Sequence, residues 1–142
     1  MPVQFFEEDI AYKLKNKRSV KNWVTNAVRA EGFILKELSY IFCSDIYLLQ
    51  VNQRFLNHDY FTDIITFDNS AGDGLIVGDI FISIDRVREN AGKFNVPLLD
   101  ELHRVIIHGA LHLAGYNDKT PADKQKMTLR EDFYLTKRNF IG

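Results

Sequence analysis

His108 and His112 stand four residues apart, and Asp118 follows in the run His-Gly-Ala-Leu-His-Leu-Ala-Gly-Tyr-Asn-Asp that covers residues 108–118. On a helix, side chains at i and i+4 project from one face, one above the other. Two neutral imidazoles held that way can share one divalent cation. Gly115 can take the left-handed backbone that ends a helix, so the chain can turn back and bring Asp118 to the same ion. Three protein ligands with a fourth position open describe a catalytic rather than a structural zinc site, one that lowers the pKa of water to about 7. Two histidines alone at this spacing are a weak signal. The glycine and the carboxylate strengthen it, and so does usage. His103, His108 and His112 are three of the 4 histidines in the chain, all on one predicted helix. Core helices seldom carry so much imidazole, because each buried ring needs hydrogen-bond partners.

Hydrolysis is the default chemistry of such a site. In the metalloprotease helix, H-E-x-x-H, the second position is a glutamate that serves as general base. Here it is Gly109, which disfavours a peptidase. Glu101 lies seven residues before His108 on the same helical stripe. It can act as a base or as a hydrogen-bond partner of an imidazole; the preferred reading is a solvated acid complementing the helix dipole. His103 falls about 140° around the helix from His108 and is not expected to share the ion. His58 is expected to be exposed in a polar turn, and Thr62 and Asp63 to organise a turn into a strand. Asp79, between Gly78 and Ile80 in an apolar strand, needs a partner, a bulge or a task. Two histidines and one carboxylate also suit Fe(II), so Fe2+ and Ni2+ stay open beside one Zn2+ per chain.

The elements that must position these residues follow from pattern. The chain has 142 residues, 46% hydrophobic and 26% charged, as in a soluble globular domain. No apolar run approaches the roughly 20 residues that span a bilayer. The N-terminus lacks the basic start and apolar stretch of a signal peptide, and the single Cys43 cannot form an internal disulfide. Both point to a cytoplasmic protein, with Cys43 packed in a strand. Net charge is −1, so global charge announces no nucleic-acid binder. The basic run KLKNKRSVK at 13–21 reads first as a solvated turn and second as a phosphate patch.

Strands are expected at 3–8, 37–43, 64–67 and 75–84, with a turn over 69–74. Helices are expected from an N-cap at Ser19 to Ala30, from Asp45 to Phe55 burying Ile46, Leu48 and Leu49, and from Asp85 to Phe94. Pro97 separates the last of these from the metal helix, Leu98 to Ala114; a final helix runs from Thr120-Pro121 to about Phe140. The fold class is α+β: one domain over 1–142, a mixed sheet of about four strands packed with helices. His108 and His112 lie at the edge of the apolar stripe formed by Leu102, Val105, Ile106 and Leu113, facing a cleft.

The 108–118 run resembles the H-G-x-L-H-L-x-G-Y-D-H signature of the YbeY family of bacterial endoribonucleases and ribosomal RNA maturation factors. Asn52, Asp59 and Thr-Asp-Ile-Ile-Thr-Phe at 62–67 are similar to another segment of that family, and Gly78-Asp79-Ile80 to its G-D-[IL] strand. The resemblance covers roughly residues 35 to 135. It implies a zincin-like α/β fold, bound zinc and single-strand-specific cleavage in 3′-end processing of small-subunit ribosomal RNA and in ribosome quality control. The implied partners are ribosomal RNA and the small subunit or its proteins, with no membrane and no nucleotide cofactor. The implied ligands are His108 and His112, with the third falling on Asp118 where the family has histidine. The family's arginine before the Thr-Asp pair falls on Leu56. Arg54 is two residues earlier, about 200° away on a helix. The catalytic residues thus stay open, with Arg54 and Glu101 as weak candidates. Two alternatives stand beside the nuclease: a ribosome-assembly factor with a mainly structural metal, and a zincin-like metallopeptidase or amide hydrolase.

Overall fold

β-branched and aromatic residues in alternation build the strands of this protein, and a computed structural model describes residues 2–72 and 74–141. Among these residues the order is β1 (Val3–Glu7), α1 (Lys17–Ala30), β2 (Ile34–Cys43), α2 (Asp45–Leu56), β3 (Ile64–Asp68), β4 (Leu75–Ser83), α3 (Ile84–Phe94), α4 (Leu98–Leu113) and α5 (Pro121–Leu135). The strands form one mixed sheet in the order β1-β2-β4-β3. β1 and β4 run parallel to β2, and β3 runs antiparallel to β4. A parallel neighbour needs a crossover, which α1 supplies between β1 and β2. The turn expected over 69–74 connects β3 to β4; its Asp73 lies outside the described residues.

Alternation sends Leu38, Tyr40 and Phe42 of β2 and Ile76, Ile80 and Ile82 of β4 into the main core. There they meet α4, which buries Leu102, Val105, Ile106, Ile107, Ala110 and Leu111. The opposite parity puts Cys43 and Ile65 under α2, in a smaller cluster with Leu48 and Val51. Gly109 brings α4 close to the sheet. A Cβ there would stand 2.8 Å from Ile80 Cδ1 and 3.0 Å from Ile64 Cδ1. This contact fixes the roll of the helix and leaves His108 and His112 on its open side.

Several element ends differ from expectation. The residue before α1 is Asn16, left-handed at φ 55°, and Ser19 lies inside the first turn. Ser44 caps α2 and Ser83 caps α3, each hydroxyl accepting an amide three residues on. The cap must have extended backbone, and the serine occupies that position; Asp45 and Asp85 fall in the first turns, where they complement the dipole. On α2, Ile46 is 58% exposed, while Leu48, Val51 and Asn52 are buried, so its inward face is rotated from the expected one. β2 begins at Ile34 because its pairing with β4 extends to Leu75. α5 stops at Leu135, and the chain beyond folds back so that Phe140 packs on Trp23 and His103. The basic run at 13–21 is a turn only in its first half: Lys13 and Lys15 flank the buried Leu14, while Lys17, Arg18 and Lys21 fall in the first turns of α1. Among the described residues no helix is long and apolar enough to cross a membrane.

Candidate metal centre

α4 ends where Gly115 takes φ 103°. The Gly115 and Tyr116 amides donate to His112 O and Leu111 O, each at 3.0 Å, closing the last turn as a left-handed cap does. The chain then doubles back. Asp118 Oδ2 arrives 3.4 Å from His108 Nε2 and 3.3 Å from His112 Nε2. Donors about 2.0–2.1 Å from a tetrahedral zinc stand about 3.3–3.4 Å apart, so the group has the spacing and the donor chemistry to hold one. Ligand atoms of the three residues lie within 4.8 Å of one another.

His108 is oriented by a residue that spacing does not reveal. Its Nδ1–H donates to Glu131 Oε2 at 2.6 Å, leaving Nε2 directed at Asp118. A carboxylate on the far nitrogen fixes the tautomer and makes the imidazole a better donor to a metal. Burial alone would lower the His108 pKa; the hydrogen bond and charge of Glu131 outweigh it and raise it above the ordinary value in the metal-free protein. Glu131 is itself buried and receives Arg104 at 2.8 Å, while Arg104 also reaches Asp132 at 2.6 Å. Glu131 lies 23 residues beyond His108, on a helix of mostly polar sequence. Only the packing of α5 on α4 brings the two together.

The donors open into a cleft of about 620 Å³ between β3, α4 and α5, lined also by Thr62, Asp63, Phe94, Glu101 and Lys124. Asp63 and Glu101 both have pKa values raised by burial. The charge of Asp63 adds to the effect on Glu101, while that of His108 opposes it on Asp63. Glu101 is thus not the solvated acid expected of a first turn. It is 7% exposed, because α4 enters the core at its N-terminal end. The imidazole's partner is Glu131 instead.

The remaining residues singled out by sequence lie elsewhere. Arg54 rests over the Phe55 ring, and neither it nor Leu56 lines the cleft. His103 is buried against Trp23 and Phe140, with Arg138 donating to its Nδ1 at 2.9 Å. It does not join the ligand group. His58 is exposed beside Tyr60. Asp79 has a partner, the Asn69 side-chain amide at 3.1 Å. Cys43 is a buried free thiol whose pKa burial pushes up to about 12, consistent with packing.

A second polar cluster supports the loop that carries Asp118. Glu31, just past α1, accepts from Tyr116 Oη at 2.7 Å, from Arg130 Nη2 at 2.6 Å and from the Tyr134 hydroxyl. Burial would raise its pKa, but these bonds hold the carboxyl below its ordinary range.

Comparison with known proteins agrees with this architecture. The family described as Endoribonuclease YbeY matches residues 3–139. A protein of that name from Cytophaga hutchinsonii is 53% identical over 136 residues, covering 96% of this chain and 95% of its own. The one from Flavobacterium psychrophilum is 50% identical, over 89% and 90% of the two chains. The one from Bacteroides thetaiotaomicron is 47% identical, over 97% and 100%. The solution structure of TM1509 from Thermotoga maritima superposes with a TM-score of 0.65 at 28% identity, over 94% of this chain and 86% of that one. On the strength of the family match and these relatives, the chain belongs to the YbeY endoribonuclease family.

Proposed function

We propose that this protein is a zinc-dependent endoribonuclease that cuts single-stranded RNA in the 3′-end maturation of small-subunit ribosomal RNA. It would act in the cytoplasm, on the small subunit or with its proteins, and serve ribosome quality control. The observation that carries the reading is the open donor group. His108, His112 and Asp118 converge, the carboxylate 3.4 and 3.3 Å from the two imidazole nitrogens, in a chain whose relatives bear the name endoribonuclease. In this reading the three are the metal ligands and Glu131 holds His108 in place. Zinc takes histidine and carboxylate ligands and keeps a fourth position open in catalytic sites; Fe2+ takes the same donor set, so metal analysis of the purified protein identifies the ion. A bound ion would supply Lewis acidity toward a phosphoryl oxygen and toward water.

The reading of a mainly structural metal is weaker on geometry. Structural zinc sites are closed by protein ligands. Here the side chains of His108, His112 and Asp118 are 19%, 27% and 41% exposed, on the wall of an open cleft. A peptidase is weaker still, because Gly109 packs on Ile80 with no room for the glutamate that such a helix needs.

The test is cleavage of unstructured and duplex RNA by zinc-loaded protein beside His112→Ala, with circular dichroism of the chelated protein. Single-strand cleavage that vanishes in the variant, in a chelated protein that stays folded, is the expected result. No cleavage above the variant's background, with zinc bound, would overturn the reading.

A further inference from the structure

We propose that Phe94 and Lys124 form a nucleotide subsite of the metal cleft, the ring stacking on a base of single-stranded RNA and the ammonium contacting its phosphate chain. The proposal rests on the nuclease reading and adds the contacts that select the substrate.

Phe94 is the last residue of α3. It lines the metal cleft and is 61% exposed. An exposed phenylalanine is ordinary on a protein surface. This one sits at a junction. A second hollow of about 690 Å³ adjoins the metal cleft, and the two share Phe94, Glu101, Arg104 and Glu131 as lining. Val96, also 39% exposed, lines the second hollow. A strand crossing from one hollow to the other would pass the metal ligands and then the ring, which lines both. Among the described residues Phe94 stacks on no other aromatic ring, so its face is available to a base.

Lys124, in the first turns of α5, supplies the charge. The cleft is otherwise acidic, lined by Asp63, Glu101, Asp118 and Glu131. Its arginine, Arg104, is taken up by Glu131 and Asp132. Among the described residues Lys124 is the one Lys or Arg lining the cleft without an ion pair. Arg54 lies off the cleft, over the Phe55 ring. A polyanion approaching the metal therefore meets protein cation at Lys124.

The pair accounts for strand selectivity. An aromatic face and a backbone cation are what unpaired RNA requires. In a duplex each base face is covered by its neighbours, and Phe94 would have nothing to stack on.

Steady-state cleavage of a short unstructured RNA by zinc-loaded wild type, Phe94→Ala, Phe94→Trp and Lys124→Gln tests the subsite, with zinc affinity from chelator competition measured on each. Phe94→Ala should raise KM about tenfold, and Phe94→Trp should restore it. Lys124→Gln should raise KM and reduce the slope of log(kcat/KM) against log salt by about 0.7, the share of one phosphate contact on a single strand. Zinc affinity should stay at the wild-type value throughout. Wild-type KM in both Phe94→Ala and Lys124→Gln, beside an active wild type, overturns the subsite and leaves the nuclease reading standing. A fall in zinc affinity that parallels the rise in KM also overturns it, since the residues would then act through the metal. An inactive zinc-loaded wild type removes both.

Discussion

Glu31 and Tyr116, 85 residues apart in the chain, meet through a 2.7 Å hydrogen bond donated by the tyrosine hydroxyl. Apart from the contacts of Asp118 with the two histidines, this is the one side-chain hydrogen bond from residues 115–119 to the rest of the protein among the described residues. The third donor therefore rides on a loop tethered to the end of α1. Tyr116→Phe should weaken zinc binding about tenfold. It should cost only about 1 kcal/mol of stability, because Arg130 and Tyr134 still satisfy Glu31. Chelator competition and urea unfolding on the same samples separate the two effects. An unchanged zinc affinity would show that backbone alone holds the loop.

Glu131 has two roles that its variants can pull apart. It accepts from His108 Nδ1 and from Arg104. Glu131→Ala should lower zinc affinity about 10–100-fold and also destabilise the fold by leaving Arg104 with Asp132 alone. Glu131→Gln keeps an oxygen for the imidazole and should fall between wild type and alanine. Calorimetric titration of zinc into the three proteins gives the ranking, and equal affinities would refute the role assigned to Glu131.

Gly109 tests how closely α4 is seated. A methyl group added at this position would meet the ends of the Ile80 and Ile64 side chains, which can shift but not freely. Gly109→Ala should destabilise by about 1–3 kcal/mol as an overpacked core does, read as a lower urea midpoint. A midpoint equal to wild type would mean the helix lifts from the sheet without cost.

His103 predicts a pH dependence. Burial first, and the Arg138 cation second, lower its pKa to about 4; Asp100, which receives Arg138, opposes them weakly. The unfolded chain takes up this proton near pH 6.5. Between about pH 6.5 and about pH 4 the unfolded state binds more protons, so metal-free protein should lose stability as pH falls through that window, by up to roughly 3 kcal/mol. Above it the residue contributes no slope. Urea midpoints of metal-free wild type and His103→Phe, compared from pH 7 to pH 4, isolate the effect, and parallel curves would contradict it.

What sequence reveals here is what lies close along the chain. The ligand run, its glycine turn and the alternation of β4 are legible because spacing alone dictates which side chains share a face. Glu131 and Glu31 are not. Each is one acid on a polar helical surface until α5 packs on α4 and α1, and no local pattern encodes that docking. The caps escape a local reading for a related reason. Ser44 and Asp45 are both good capping types, and tertiary pairing of Asp45 with Arg86 and Ser83 decides between them. Ile46 shows the same limit, since an apolar residue in a helix does not state which of its neighbours the sheet will cover.

All three donors fall within residues 108–118, and this locality reaches beyond the folded state. An unfolded chain keeps the two imidazoles and the carboxylate within a short flexible span, so it can still chelate, only less well. Ligand binding stabilises a protein by its preference for the folded form over the unfolded one. Zinc should therefore raise the melting temperature by less than its affinity for the native protein suggests. The shortfall measures the affinity that the local run keeps when unfolded, and the stabilisation that remains measures what only the folded chain adds, the contacts of Glu131 and Glu31 among it.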